Sequence, residues 1–130
     1  MVSLLIVSHS AQLAAGVREF ASQVAGGDVR ILDAGGTADG SLGTSVDRIQ
    51  EGLLQVASPD GTLVLVDLGS AVLSVEMAIE ALGLTQVRIS NAPLVEGAYL
   101  AAIEASAAGS SLDQVAEAAL QASELIKVQT

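Results

Sequence analysis

The strongest constraint on this chain is a regular alternation. Apolar runs of strand length are separated by longer stretches in which apolar residues recur three to four positions apart. Val2 to Ser8 is the first run, with Leu4, Leu5, Ile6 and Val7 in unbroken succession. A strand apolar at every position is buried on both faces, as strands of parallel sheets are. The helix that follows puts Leu13, Val17, Phe20 and Val24 on one face, and Gly26-Gly27 ends it. Val29 to Leu32 is the second strand. A loop rich in Gly, Asp and Ser runs from Gly35 to Gly43, and Thr44 or Ser45 caps the next helix. Its inner face carries Val46, Ile49, Leu53 and Val56. Pro59-Asp60-Gly61 turns the chain into the third strand, Thr62 to Val66. Gly69-Ser70 opens a third helix with Val72, Val75, Ile79 and Leu82 on one stripe, and Gln86 to Ile89 is the fourth strand. Asn91-Ala92-Pro93 leads into a helix around Val95 to Ala107. Ser110 or Ser111 caps a last helix running towards Ile126.

Strands alternating with helices imply parallel pairing, right-handed crossovers and helices on both faces of the sheet. The expected fold is therefore α/β: an open parallel sheet of about four strands in the order 2-1-3-4, with an extra C-terminal helix. A length of 130 residues fits one domain, 1–130, and no linker, repeat or charge block divides it. In that strand order the winding reverses between the first and third strands. Open sheets of this kind bind ligands at the carboxyl ends of the strands beside such a switch point. Two places are thereby nominated: the residues after strand one and those after strand three.

Composition narrows the classes of function. Five basic residues (Arg18, Arg30, Arg48, Arg88 and Lys127) are scattered along a chain of formal net charge −10. No basic stripe exists to displace the counterions of a nucleic acid, so DNA and RNA are poor candidates as partners. An acidic surface suits a protein partner with a basic docking patch. The absence of cysteine excludes disulfides, iron–sulfur clusters and thiolate nucleophiles, and fits a cytoplasmic setting. The apolar segment Met1 to Val7 is too short for a signal peptide, and no apolar run approaches the length of a membrane span. No membrane insertion is expected.

The first nominated place holds Ser8-His9-Ser10 and the second Asp67-Leu68-Gly69-Ser70; His9 is the only histidine. A neutral imidazole carries one proton and one free lone pair. A carboxylate that accepts from the protonated nitrogen aims the other as a nucleophile, and it stabilises the positive charge the ring gains on attacking phosphorus. Phosphoryl transfer asks mainly for positioning and dispersed electrostatic support. Helix N-termini supply such support, and three should crowd this crevice: after Ser10, near Thr44-Ser45 and at Gly69-Ser70. Candidate phosphate-binding residues are thus Gly36, Thr44, Ser45, Gly69 and Ser70. The residues alone leave second roles open. His9 is equally readable as a polar strand-end residue satisfied by a nearby carbonyl. Asp67 is readable as a cap of the third helix. Glu96 either points into the crevice or matches the dipole of its own helix.

Other chemistries fit less well. One His and no Cys are too few ligands for zinc. Asp33, Asp39 and Asp67 lack the spacing of a magnesium site, so no metal is expected, and Asp39 belongs in a solvated turn. The only lysine, Lys127, is far from any phosphate-binding loop. Ser8, Ser10 and Ser70 lack the G-x-S-x-G elbow of a hydrolase nucleophile.

Val7-Ser8-His9-Ser10, Asp67-Leu68-Gly69-Ser70-Ala71 and Asn91-Ala92-Pro93-Leu94-Val95-Glu96-Gly97, in that order, form a set. Carrying it, the chain resembles, over essentially its whole length, the phosphotransferase subunit of the phosphoenolpyruvate-dependent dihydroxyacetone kinase. That subunit is in turn similar to the enzyme IIA domain of the mannose branch of the sugar phosphotransferase system. The resemblance implies that His9 is phosphorylated by the histidine-containing phosphocarrier protein, on the nitrogen facing away from Asp67, and that Asp67 supports it. The phosphoryl group then passes to ADP held in the nucleotide-binding subunit, which serves a dihydroxyacetone-binding subunit. No further cofactor is implied, and the family forms homodimers. Some members carry extra domains that resemble the phosphocarrier and part of enzyme I; this chain is expected to be a single-domain form or an excised domain. The alternatives are a mannose-class transporter IIA component that passes its phosphoryl group to a IIB domain, and a non-catalytic flavodoxin-like module.

Overall fold

The computed structural model describes residues 1–129; Thr130 lies outside the described residues. Four strands, β1 (Ser3–Ser8), β2 (Ile31–Gly35), β3 (Thr62–Val66) and β4 (Val87–Ile89), form one sheet in the order β2-β1-β3-β4. All pairings are parallel. Helices α1 (Ala11–Ser22), α2 (Val46–Val56), α3 (Gly69–Leu82), α4 (Leu94–Ala105) and α5 (Leu112–Leu120) follow in sequence. The expected architecture and strand order are borne out.

The apolar run of β1 is buried at every position because the sheet has a core on each side. Leu4 and Ile6 point to the layer built with α1, α4 and α5, where Ala14, Val17, Ala98, Ala101 and Val115 meet them. Leu5 and Val7 point to the layer of α2 and α3, against Ile49, Leu53, Val56 and Val75. The period-two alternation of a strand thus feeds two separate cores. The neighbouring central strand, β3, is buried throughout as well.

Several local expectations need correction. Of Leu13, Val17, Phe20 and Val24, Val17 is buried and Val24, just beyond α1, packs against the core, but the other inward positions of the helix are Ala14 and Ala21. Leu13 and Phe20 are 42% and 46% exposed. Small residues face inward because α1 lies hard against β2: a Cβ added to Gly35 would stand 2.7 Å from that of Ala14. In α3 the fully buried positions are likewise Ala71, Val75 and Ala78; Val72, Ile79 and Leu82 pack at the margin of the core. The second strand begins two residues later than Val29 and runs through Asp33 to Gly35, because its pairing with β1 continues to Ser8. Helix α1 stops at Ser22, short of the glycine pair. The last helix has the capping box of Ser111 and Gln114, ends at Leu120 and gives way to a 3₁₀ turn, Gln121–Glu124, rather than continuing to Ile126.

Candidate active site

His9 and Asp67 meet because their strands do. β1 and β3 are parallel neighbours registered up to Val7 and Val66, so Ser8 and Asp67 stand one step beyond the last pair. The chain then leaves β1 through His9 into α1, whose N-cap Ser10 accepts a hydrogen bond from the Leu13 N–H. This local turn lifts the imidazole onto the carboxyl edge of the sheet, beside Asp67 and the start of α3.

The Asp67 carboxylate gathers four donors, two per oxygen. Oδ1 lies 3.0 Å from His9 Nδ1 and accepts from the Leu68 N–H at 2.8 Å. Oδ2 accepts from the His9 N–H and the Ser8 hydroxyl, each at 2.9 Å. Burial alone would raise the pKa of Asp67. The hydrogen bonds from His9, Ser8 and Leu68 outweigh it and hold the carboxyl below its ordinary range. An ionised carboxylate can only accept, so His9 Nδ1 carries a proton, and in the neutral ring Nε2 keeps the lone pair. Ser70 Oγ stands 2.9 Å from Nε2; with Nε2 as acceptor, the hydroxyl donates. The His9 side chain retains 27% exposure, and the Ser70 hydroxyl has to turn away from Nε2 before an incoming group can meet its lone pair.

Of the five candidate phosphate contacts, Ser70 and its neighbour Gly69 lie at the imidazole. Gly69 has open space where a side chain would be. The other three are engaged locally. The Gly36 N–H donates to Ser8 O at 3.1 Å. Thr44 Oγ1 pairs with Ser74 Oγ at 2.7 Å. The Ser45 hydroxyl caps α2 by accepting from the Arg48 N–H. The start of α2 does approach the site, through the Gly43 N–H, which donates to His9 O at 2.8 Å. Asp67 is not the cap of α3: that position is Leu68, without a side-chain bond.

The remaining acidic candidates sit elsewhere. Asp33 pairs with Arg18 at 2.8 Å. Asp39 accepts from Thr37 and Ser41 in an exposed turn, bonds that lower its pKa to about 2. Glu96, in the first turn of α4, takes Lys127 at 2.7 Å rather than facing His9. Among the described residues no group of three or more His, Cys, Asp or Glu could hold a metal ion. Nor is any described helix long and apolar enough to cross a membrane. Two residues of the site escaped sequence reasoning. Ser8 lies within Ser8-His9-Ser10, where the sequence offers it only as a possible nucleophile. Gly43 had no signal beyond its glycine-rich loop.

An open parallel α/β domain with an oriented histidine at its switch point is the class that fold and site define. Comparison narrows it: the family model described as the fructose IIA component of the phosphotransferase system (EIIA-man) matches residues 3–116. This chain belongs to that enzyme IIA family. A relative from Klebsiella michiganensis, described as DhaM, the phosphoryl donor subunit of a PEP-dependent dihydroxyacetone kinase, is 43% identical. The match covers 99% of this chain and 28% of that protein. The corresponding DhaM subunit of dihydroxyacetone kinase 2 from Listeria innocua is 38% identical, over 80% of this chain and 86% of its own. The chain thus spans about a quarter of the longer relatives and most of the shorter. A crystal structure of a protein of unknown function superposes with a TM-score of 0.80 at 36% identity, covering 92% of this chain and 93% of the other. A phosphotransferase system component EIIA from Streptococcus agalactiae shares the fold, with a TM-score of 0.68 at 17% identity over 95% and 93% of the two chains.

Proposed function

We propose that this chain is a phosphoryl relay that carries the group covalently on His9 Nε2. The observation that bears the reading is the pairing of His9 Nδ1 with an ionised Asp67, which in the neutral ring puts the free lone pair on Nε2. In the forward step Nε2 attacks phosphorus of a donor phosphohistidine, the donor's nitrogen leaves, and Asp67 offsets the charge gained by the ring. In the next step an acceptor oxygen attacks phosphorus and the His9 nitrogen leaves as a neutral imidazole. Ser70 Oγ and the N-terminal N–H groups of α3, at Gly69 and Ser70, are positioned to hydrogen-bond the phosphate oxygens. Gly36, Thr44 and Ser45 are engaged in other hydrogen bonds.

The kinship with DhaM subunits supports the finer assignment. The donor is the histidine-containing phosphocarrier protein. The acceptor is ADP in the nucleotide-binding subunit of dihydroxyacetone kinase, working with the dihydroxyacetone-binding subunit. The chain is then a phosphotransferase subunit with a phosphohistidine intermediate, no other cofactor and a cytoplasmic setting. Exposed Leu42, Leu68 and Leu73 flank the site and suit protein partners rather than a small substrate. We also propose a homodimer through the outer face of α1 and α4. The chain's two aromatic residues, Phe20 and Tyr99, stack there at 5.2 Å beside a groove of about 540 Å³. The charged groups lining that groove, Glu96 and Lys127, cancel each other, so two acidic chains can meet there without like-charge contact.

The test is phosphorylation by phosphoenolpyruvate, enzyme I and the phosphocarrier, read by intact mass. One phosphoryl adduct is expected, labile to acid and stable to alkali, and none on His9→Ala. An adduct on His9→Ala, or none on the wild type, overturns the relay. Adding the kinase subunits with ADP should then strip the label; transfer to a transporter IIB domain instead would redirect the assignment.

A further inference from the structure

We infer that Ser8 is a positioning residue for the phosphoryl transfer, acting through Asp67; the inference rests on the relay reading above. Ser8 is the last residue of β1 and is completely buried. Its hydroxyl accepts from the Ser10 N–H at 3.0 Å. An amide N–H has nothing to accept with, so the single hydroxyl proton is directed the other way, to Asp67 Oδ2 at 2.9 Å. One small side chain therefore joins three segments: the end of β1, the cap of α1 and the residue after β3. Its own carbonyl accepts from the Gly36 N–H and adds the loop after β2.

This arrangement bears on the chemistry in two ways. Oδ2 is held by two donors, Ser8 Oγ and the His9 N–H, and this fixes the carboxylate plane so that Oδ1 faces the imidazole. Donation from Ser8 is also one of the bonds that keep Asp67 ionised against burial. An ionised, oriented Asp67 decides which ring nitrogen is protonated and so which one is nucleophilic. Without the hydroxyl, Oδ2 loses a donor and the Ser10 N–H loses its acceptor. The carboxylate gains freedom to turn, and the ring gains access to the tautomer with hydrogen on Nε2, which cannot attack phosphorus.

Ser8→Ala and the nearly isosteric Ser8→Cys separate hydrogen bonding from packing. Both should slow single-turnover transfer from the phosphocarrier by roughly tenfold, a scale familiar for outer hydrogen bonds to a working group, with the concentration dependence on the phosphocarrier unchanged. The diagnostic readout is ¹⁵N NMR of the His9 ring at a pH where it is neutral. The wild type should show a single Nδ1–H tautomer, and both variants a mixture. Ser8→Thr, which keeps the hydroxyl, should recover the wild-type tautomer. Wild-type rate and tautomer in folded Ser8→Ala and Ser8→Cys would overturn the inference while leaving the relay intact. Failure of the wild type to acquire a phosphoryl group would instead overturn the relay itself.

Discussion

At the scale of the residue, the site is a statement about one proton. Asp67 faces four donors. An amide in its place presents an NH₂ group to two of them. Asp67→Asn is therefore expected to fold but to lose about 1–3 kcal/mol, the usual cost of frustrated buried polar groups. Turned with nitrogen towards the ring, the amide would also force the proton onto Nε2. Transfer should fall by at least about a hundredfold, within the range for losing acid–base support; stopped-flow or quench-flow transfer rates check this, and an unaltered rate removes Asp67 from the mechanism. The depressed pKa of Asp67 has a further consequence. Its ordinary value is 3.8 and its folded value is lower, so its contribution to stability is complete above that value and is lost as pH falls through the folded-state pKa. The gap in melting temperature between wild type and Asp67→Asn should be constant near neutrality and close below about pH 4. A gap that persists in stronger acid would show that Asp67 is not ionised in the fold.

At the scale of the element, spacing decides what is tolerated. Gly35 ends β2, and a Cβ there would stand 2.6 Å from Ser10 O and 2.7 Å from the Ala14 Cβ. Gly35→Ala should cost about 1–3 kcal/mol, as overpacking does, and should disturb the cap of α1 next to His9. Chemical denaturation measures the first and the His9 ring resonances the second. The same crowding explains what the sequence concealed. Strand and helix order followed directly from the alternation, because period two and period 3.6 are set by backbone geometry. The inner face of α1 did not, because hydrophobicity ranks Leu13 and Phe20 above Ala14 and Ala21. Which residue turns inward was settled by how closely α1 lies on β2, a tertiary distance. The extent of the second strand is hidden for a related reason: Asp33 and Gly35 look unlike a strand until β1 supplies its hydrogen-bonding partners. That His9 and Asp67 stand side by side was legible from strand order; what they do together was not. The engagement of Gly36, Thr44 and Ser45 was not, because it depends on how the loop from Gly35 to Gly43 folds back on itself.

At the scale of the whole molecule, the proposed site and the proposed interface lie on different faces. His9 opens on the carboxyl edge of the sheet, while Phe20 and Tyr99 occupy the outer surface of α1 and α4. Phe20→Glu and Tyr99→Glu should each convert a dimer to a monomer by light scattering while leaving phosphorylation of His9 by the phosphocarrier within about threefold, since surface changes away from a site usually have small effects. A wild-type chain that is monomeric, or variants that keep dimer mass, would refute the proposed interface.

The register of β1 on β3 carries one last consequence. His9 and Asp67 are 58 positions apart in sequence, and nothing local brings them together. Between them lie two complete crossovers: β2 must be laid on one side of β1 and β3 on the other before the carboxylate reaches the imidazole. Closing a loop of that length is entropically costly and is repaid only when the sheet has formed. A nascent or partly unfolded chain therefore has its histidine from the first moments of synthesis but lacks the oriented lone pair. On the proposed relay reading, competence to take up a phosphoryl group arrives only with the completed fold.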